Sequence, residues 1–288
     1  MKILLTPPFA LLLLFSACDW EERIPTEMVT TTQSQPLGKE KSVDADVRVD
    51  VGSLEISSNS SPNVYSVEME YDKARFSSSI QYNNSSDRSD EGRLSLRLET
   101  RHEGRIGPRG AGARLRLNLS SELPMKLNLR TGVGEARLSL SGLKLSRLDL
   151  ESGVGGTRIS AFEPNSVPCD TIRFKNGVGG LDATGLANLN FRNLEFEGGV
   201  GGANLDFTGE WKHDADIRVQ VGVGGVSLRM PREIGVRVET EKHFLSGMHL
   251  DDFNQRDSYY FSRNYDQASI HVSVRVMTGI GGFRVTWA

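Results

Sequence analysis

The chain has 288 residues, 38% hydrophobic and 25% charged, with a formal net charge of −3. That length can bury a large core, the ordinary charged fraction excludes wholesale disorder, and the slight acidity argues against a dedicated nucleic-acid binder. With 12 Phe, 6 Tyr and 3 Trp, no aromatic base-stacking platform is expected; the odd share is Gly, 30 residues, about 10% against a usual 7% or so.

The chain opens Met1-Lys2-Ile3-Leu4-Leu5, one positive charge before an apolar run that ends at Leu14 and Phe15. The run is shorter than the about 20 residues of a bilayer span, and small Ser16 and Ala17 follow it. Residues 1–17 have the layout of a secretory signal peptide. Leu14-Phe15-Ser16-Ala17-Cys18 resembles the lipobox of bacterial lipoproteins, with Phe15 where Leu is the family's commonest choice. The resemblance implies lipidation of Cys18, cleavage before it, and export to a bacterial membrane held through lipid. It leaves open which membrane, and whether the site is periplasmic or on the cell surface. Asp19 resembles an inner-membrane retention signal of some bacteria. An ordinary signal peptide with an incidental Cys18 is the alternative.

Residues 18–40 are polar without periodicity and read as the lipidated Cys and a flexible tether, with a reach of roughly 70 Å. Residues 41–125 read as an N-terminal β region. Arg114-Leu115-Arg116-Leu117-Asn118-Leu119 alternates with period two, as a half-buried strand does. A basic loop lies before it, and Arg101, Arg105 and Arg109 are its candidate contacts for an anionic glycan, lipid headgroup or acidic partner. A solvated loop is the alternative.

From 126 to 288 a motif repeats. The copies are Gly132-Val133-Gly134, Gly153-Val154-Gly155, Gly177-Val178-Gly179, Gly199-Val200-Gly201, Gly222-Val223-Gly224 and Gly279-Ile280-Gly281. The first five start 21, 24, 22 and 23 residues apart; the sixth follows after 57. Asp50-Val51-Gly52 looks like a decayed earlier copy. Alternating segments flank each motif, as in Asn193-Leu194-Glu195-Phe196-Glu197 and Ala203-Asn204-Leu205-Asp206-Phe207. No convincing 3.6-residue stripe is present from 40 to 240. Two strands per period of about 22 residues predict an all-β, single-domain β-solenoid with helix nearly absent. Val133, Val154, Val178, Val200, Val223 and Ile280 then form a column at a glycine corner. An open β-sandwich is the competing architecture. The irregular stretch from His243 to Asp266 is expected to cap the last coil.

These residues resemble the toast-rack domain of bacterial envelope proteins. They are similar too to the C-terminal domain of cell-wall-active antibiotic response proteins and to adhesin-like β-solenoids. The pieces are the Gly-Val-Gly corners, Pro231-Arg232-Glu233-Ile234-Gly235-Val236-Arg237-Val238, Tyr260 to Tyr265, and Gly279-Ile280-Gly281-Gly282. The likeness covers roughly 110–288 and, more weakly, 43–109. It implies the fold and an envelope location, with a regulatory or adhesive role by analogy only.

Catalytic and ligand motifs are not legible. The glycine motifs lack the third Gly and the following helix of a dinucleotide loop, and no Walker Lys follows any of them. Gly201-Gly202-Ala203 has Ala where a calcium β-roll needs Asp. His243, His249, Asp251 and Asp252 form a local cluster of ligand-type groups that reads as a solvated loop. Cys169 sits in what reads as a turn with no local His, and is expected to be inert. The expectation is a non-enzymatic, lipid-anchored envelope protein with no cofactor and no metal. Its solenoid is an interaction scaffold or a regulator of envelope stress response, its partner another envelope protein or a glycan, not nucleic acid. The alternative is an adhesin or a polysaccharide-binding or -processing solenoid.

Overall fold

The structure, a computed structural model, describes residues 25–84, 90–101, 112–240 and 247–288. It is all-β, as the period-two pattern requires. In chain order the strands are β1 (Met28–Pro36), β2 (Ser42–Asn59), β3 (Asn63–Asp72), β4 (Phe76–Asn84), β5 (Glu91–Thr100), β6 (Ala113–Ser120) and β7 (Pro124–Ser139). Then come β8 (Lys144–Val154), β9 (Thr157–Ser160), β10 (Cys169–Val178), β11 (Leu181–Thr184), β12 (Phe191–Val200) and β13 (Ala203–Asp206). The last are β14 (Ala215–Met230), β15 (Gly235–Thr240), β16 (Gly247–Leu250), β17 (Phe253–Arg256), β18 (Tyr259–Ser262) and β19 (His271–Trp287). Among the described residues helix is confined to two 3-10 turns, Leu186–Leu189 and Tyr265–Gln267.

The strands stack as parallel, in-register rungs. β2 pairs with β7, β7 with β8 and β9, and these with β10 and β11. The series continues through β12 and β13 to β14 and then β19. Like residues therefore lie one above another. Ala45, Leu127, Leu148, Ile172, Leu194, Ile217 and Val274 form one buried ladder, and Ile56, Leu138, Ile159, Ala183, Leu205, Leu228 and Val285 line the facing half. This is a solenoid, not an open sandwich.

Chain order and rung order part company at both ends. β5 and β6 follow β2 in sequence but stack outside it, in parallel with its two halves. β15 and β16 precede β19 but stack outside it. The 57-residue gap between the last two motifs is this outer rung together with its cap. Antiparallel strands close each end: β4 on β5, β3 on β6 and β1 on β3 at one, β18 on β15 and β17 on β18 at the other.

Two boundaries differ from the sequence reading. The solenoid starts at β2, not at residue 126, because Val51 and Gly52 are in register with Val133 and Gly134. The segment 28–36, read as tether, is strand β1; its Val29 packs on the core and its pairing with β3 supplies the order that its polar composition hides. Asp72 fixes where β1 begins. Burial of its carboxylate raises its pKa, but the Glu27 and Ala74 N–H groups and the Arg75 guanidinium favour the charged form and win, so the pKa lies below the ordinary value.

The corners explain the glycines. At Gly134, Gly155, Gly179, Gly201, Gly224 and Gly281 φ lies between +140° and +148°. A Cβ on any of these would stand 1.7–1.8 Å from the carbonyl oxygen of the matching glycine one rung below. The third glycine of each motif is free of this: at Gly156 nothing lies within 4 Å, and at Gly180 only the Gly202 oxygen, at 4.0 Å.

Two stability predictions follow from these contacts. Gly179→Ala should cost roughly 3 kcal/mol or more in urea unfolding, whereas Gly180→Ala should stay within about 0.5. Because the Asp72 pKa is lowered in the fold, its contribution is present above its unfolded value of about 4 and lost as pH falls through the folded value. Asp72→Asn should therefore speed proteolysis at the start of β1 at neutral pH and remove that part of the acid dependence. Equal cleavage of both forms would refute the role.

Candidate functional site

The edge marked by the glycine corners is the candidate site. Each rung places one outward side chain before the corner, then a position that is buried in most rungs and half-buried at Gly198 and Thr278, then Gly-Val-Gly or its variant. The outward column runs Arg48, Arg130, Glu151, Lys175, Glu197, Gln220, Met277. The first glycine column, Gly132, Gly153, Gly177, Gly199, Gly222 and Gly279, has no side chain to fill the space beside that wall. The result is a groove of about 1100 Å³ along the solenoid axis. From Arg48 to Met277 there are six rung steps, about 29 Å at 4.8 Å each.

At one end of the groove Asp50 stands in the glycine column. Its carboxylate takes the Arg48 guanidinium at 2.9 Å and the Thr100 N–H at 3.2 Å. Pairing of β5 with β2 stops at Val49 and Leu98, so among the described residues no paired corner carbonyl lies below Asp50. Gly52 keeps its glycine because the Ala113 oxygen is 2.1 Å from its Cβ position.

The valine column does not turn inward. Val133, Val154, Val178, Val200, Val223 and Ile280 are in register and 43–66% exposed, an apolar ridge next to the groove floor. β-branched side chains exposed in an unbroken row are uncommon on a soluble surface. The column is legible in the sequence but its direction is not, since strand alternation fails at a corner.

The wall is laddered by charge. Arg130 reaches Glu151 at 3.6 Å and Lys175 reaches Glu197 at 3.0 Å. Two residues earlier in each rung a second ladder links Asp149, Arg173, Glu195 and Arg218 at 3.6, 2.8 and 3.1 Å. These pairs are solvent-exposed and each is worth at most about 1 kcal/mol. Their larger effect is to keep like charges from stacking in register.

The other sequence candidates that the structure describes are not brought into this groove. Arg101 uses its Nε–H on the Phe76 carbonyl at 2.7 Å, bracing the β4–β5 hairpin. Arg105, Arg109, His243 and Cys18 lie outside the described residues. His249 meets Asp251 at 3.0 Å, while Asp252 turns to Arg232 and Arg263 at 3.6 and 3.2 Å. Among the described residues no group of three or more His, Cys, Asp or Glu is placed to hold a metal ion, and no helix is long and apolar enough to cross a membrane.

Cys169 is the first residue of β10, not part of a turn, and is fully buried. Burial pushes its thiol up to about 12, with the Asp170 charge adding to the shift.

Comparison with known proteins places this edge in a family. The model of the N-terminal domain of toast_rack, DUF2154, matches residues 24–182 and again 164–229. The chain belongs to the toast-rack family. The match includes the part of this toast-rack chain where its own motif is most decayed, and stops short of Tyr260 to Tyr265 and Gly279-Ile280-Gly281-Gly282. A candidate cell adhesion protein of known structure from Clostridium sporogenes is similar at 16% identity and a TM-score of 0.49, over 91% of this chain and 100% of that one. Candidate adhesins from Bacteroides fragilis and Parabacteroides merdae are similar at 11% identity each, with TM-scores of 0.33 and 0.31. They cover 90% and 89% of this chain and 97% and 95% of their own. No curated protein matches the chain.

In a Cys18→Ala form Cys169 is the sole thiol. It should resist a thiol reagent at pH 8 in the folded protein and react fully after denaturation. Rapid labelling of the native chain would contradict its burial.

Proposed function

We propose that this toast-rack chain is a non-enzymatic, lipid-anchored envelope protein whose solenoid edge is an interaction scaffold. The observation that carries this reading is the groove and ridge themselves. They repeat one set of side chains in register for about 29 Å, a surface made to be read lengthwise. Neither a regulatory role in envelope stress nor adhesion is preferred by the geometry, and both use the same edge.

The anchor in this reading is Cys18. About ten residues separate it from β1, so the anchor sits at most about 35 Å from the first strand. That is half the reach expected from a tether running to residue 40. β1 is the outermost strand of its end, so the lipid would leave from the β5–β6 end of the stack.

Cys18→Ala should move the protein from the membrane to the soluble exported fraction, read by fractionation and mass of the N-terminal peptide. Unchanged membrane association would contradict the anchor. Val178→Asp should abolish crosslinking of the wild-type partner in intact cells; an unchanged crosslink pattern would contradict the edge as the scaffold.

A further inference from the structure

We propose that the partner seated on this edge is a second copy of the chain, related by a two-fold axis perpendicular to the solenoid axis. The proposal rests on the scaffold reading above and names its occupant. A perpendicular two-fold lays wall on wall and ridge on ridge, with the rungs running in opposite directions.

The charge order of the wall selects this arrangement. Its rungs read Arg48, Arg130, Glu151, Lys175, Glu197, Gln220, Met277. With the two-fold between the Glu151 and Lys175 rungs, Glu151 faces Lys175 of the other copy and Arg130 faces its Glu197. Both pairs occur twice, and Arg48 faces neutral Gln220. A slip of one rung destroys the match. Centred on Lys175, that residue meets itself and Glu151 meets Glu197; centred on Glu151, that residue meets itself and Arg130 meets Lys175. The column is thus complementary to its own reverse in this central register.

The ridge supplies the apolar part. In the same register Val154 faces Val178 and Val133 faces Val200, and all four are about half exposed in the single chain. In this register wall, floor and ridge overlap over about 24 Å by roughly 15 Å, on the order of 400 Å² per copy, the size of a weak, transient interface. The bare glycine floor lets the two walls close without a clash between side chains. The two N-termini leave from opposite ends, so a dimer anchored to one membrane lies with its axis along the surface.

The test is sedimentation of the full chain, extracted in a density-matched mild detergent. Wild type should sediment as a dimer and Val178→Asp as a monomer. Lys175→Glu and Glu151→Lys each put like charges together in this register, and each should weaken self-association at least about tenfold. Mixed, the two variants restore both pairs and should form a heterodimer close to wild type in affinity. Urea unfolding of Val178→Asp should match wild type, and Lys175→Glu and Glu151→Lys, which each stack like charges within the chain, should lose no more than about 1 kcal/mol and remain folded. A monomeric wild type, or charge variants that dimerise unimpaired, would overturn the proposal. A monomer whose crosslinked envelope partner is still lost on Val178→Asp would overturn self-association alone and leave the scaffold reading standing. A dimer obeying the charge rules, with membrane association unchanged by Cys18→Ala, would uphold the proposal and remove the lipid anchor.

Discussion

One steric fact organises the molecule. At each inner corner the carbonyl oxygen of one glycine occupies the place where the next rung's glycine would carry its Cβ. Only hydrogen fits, and φ near +140° excludes other residues a second time. Close stacking at the corner keeps the rungs in register. The Gly155, Gly179 and Gly201 N–H groups each donate to the valine carbonyl of the next rung at 2.9 Å, so the ladder passes through the corner unbroken. In-register stacking then follows for every other column, the buried ladders and the outward charges alike.

That register is why the surface is lengthwise. A residue type chosen once per rung becomes a stripe, and like charges in a stripe repel. The wall answers by alternation from Arg130 to Glu197, and the neighbouring ladder from Asp149 to Arg218 does the same. The edge follows from the same constraint. Glycine is required at the corner for backbone packing, and a groove is what remains beside a long wall when a column has no side chains. The valine between the two glycines has no interior to enter, so it stands out as a ridge.

The corner glycines, their period and the all-β class were legible in the sequence because steric need leaves no choice of residue. The position after the second glycine carries no such need, and Ser53 and Glu135 take it in other rungs. Where the pattern failed, a physical reason is visible. Asp50 replaces glycine where, among the described residues, no paired carbonyl lies below it, so β2 read as a decayed copy when it is a complete rung. β1 is polar because it lies at the edge of its sheet, with most side chains in solvent, and composition alone resembles a tether. The swapped order of rungs at both ends leaves no local trace, because parallel pairing across tens of residues has no short-range signature. For the site, the columns were legible and their direction was not, and the wall's charge order gained meaning only once the rungs were aligned.

The central claim is that the Gly-Val-Gly corner is a continuous part of the hydrogen-bonded stack. Native-state hydrogen exchange resolved at single amides tests it most directly. The account predicts that the Gly155, Gly179 and Gly201 amides exchange as slowly as those of Phe174 and Leu194 in the adjoining strands. Exchange at the rate of an open surface loop at these three amides, with the strands still protected, would contradict it.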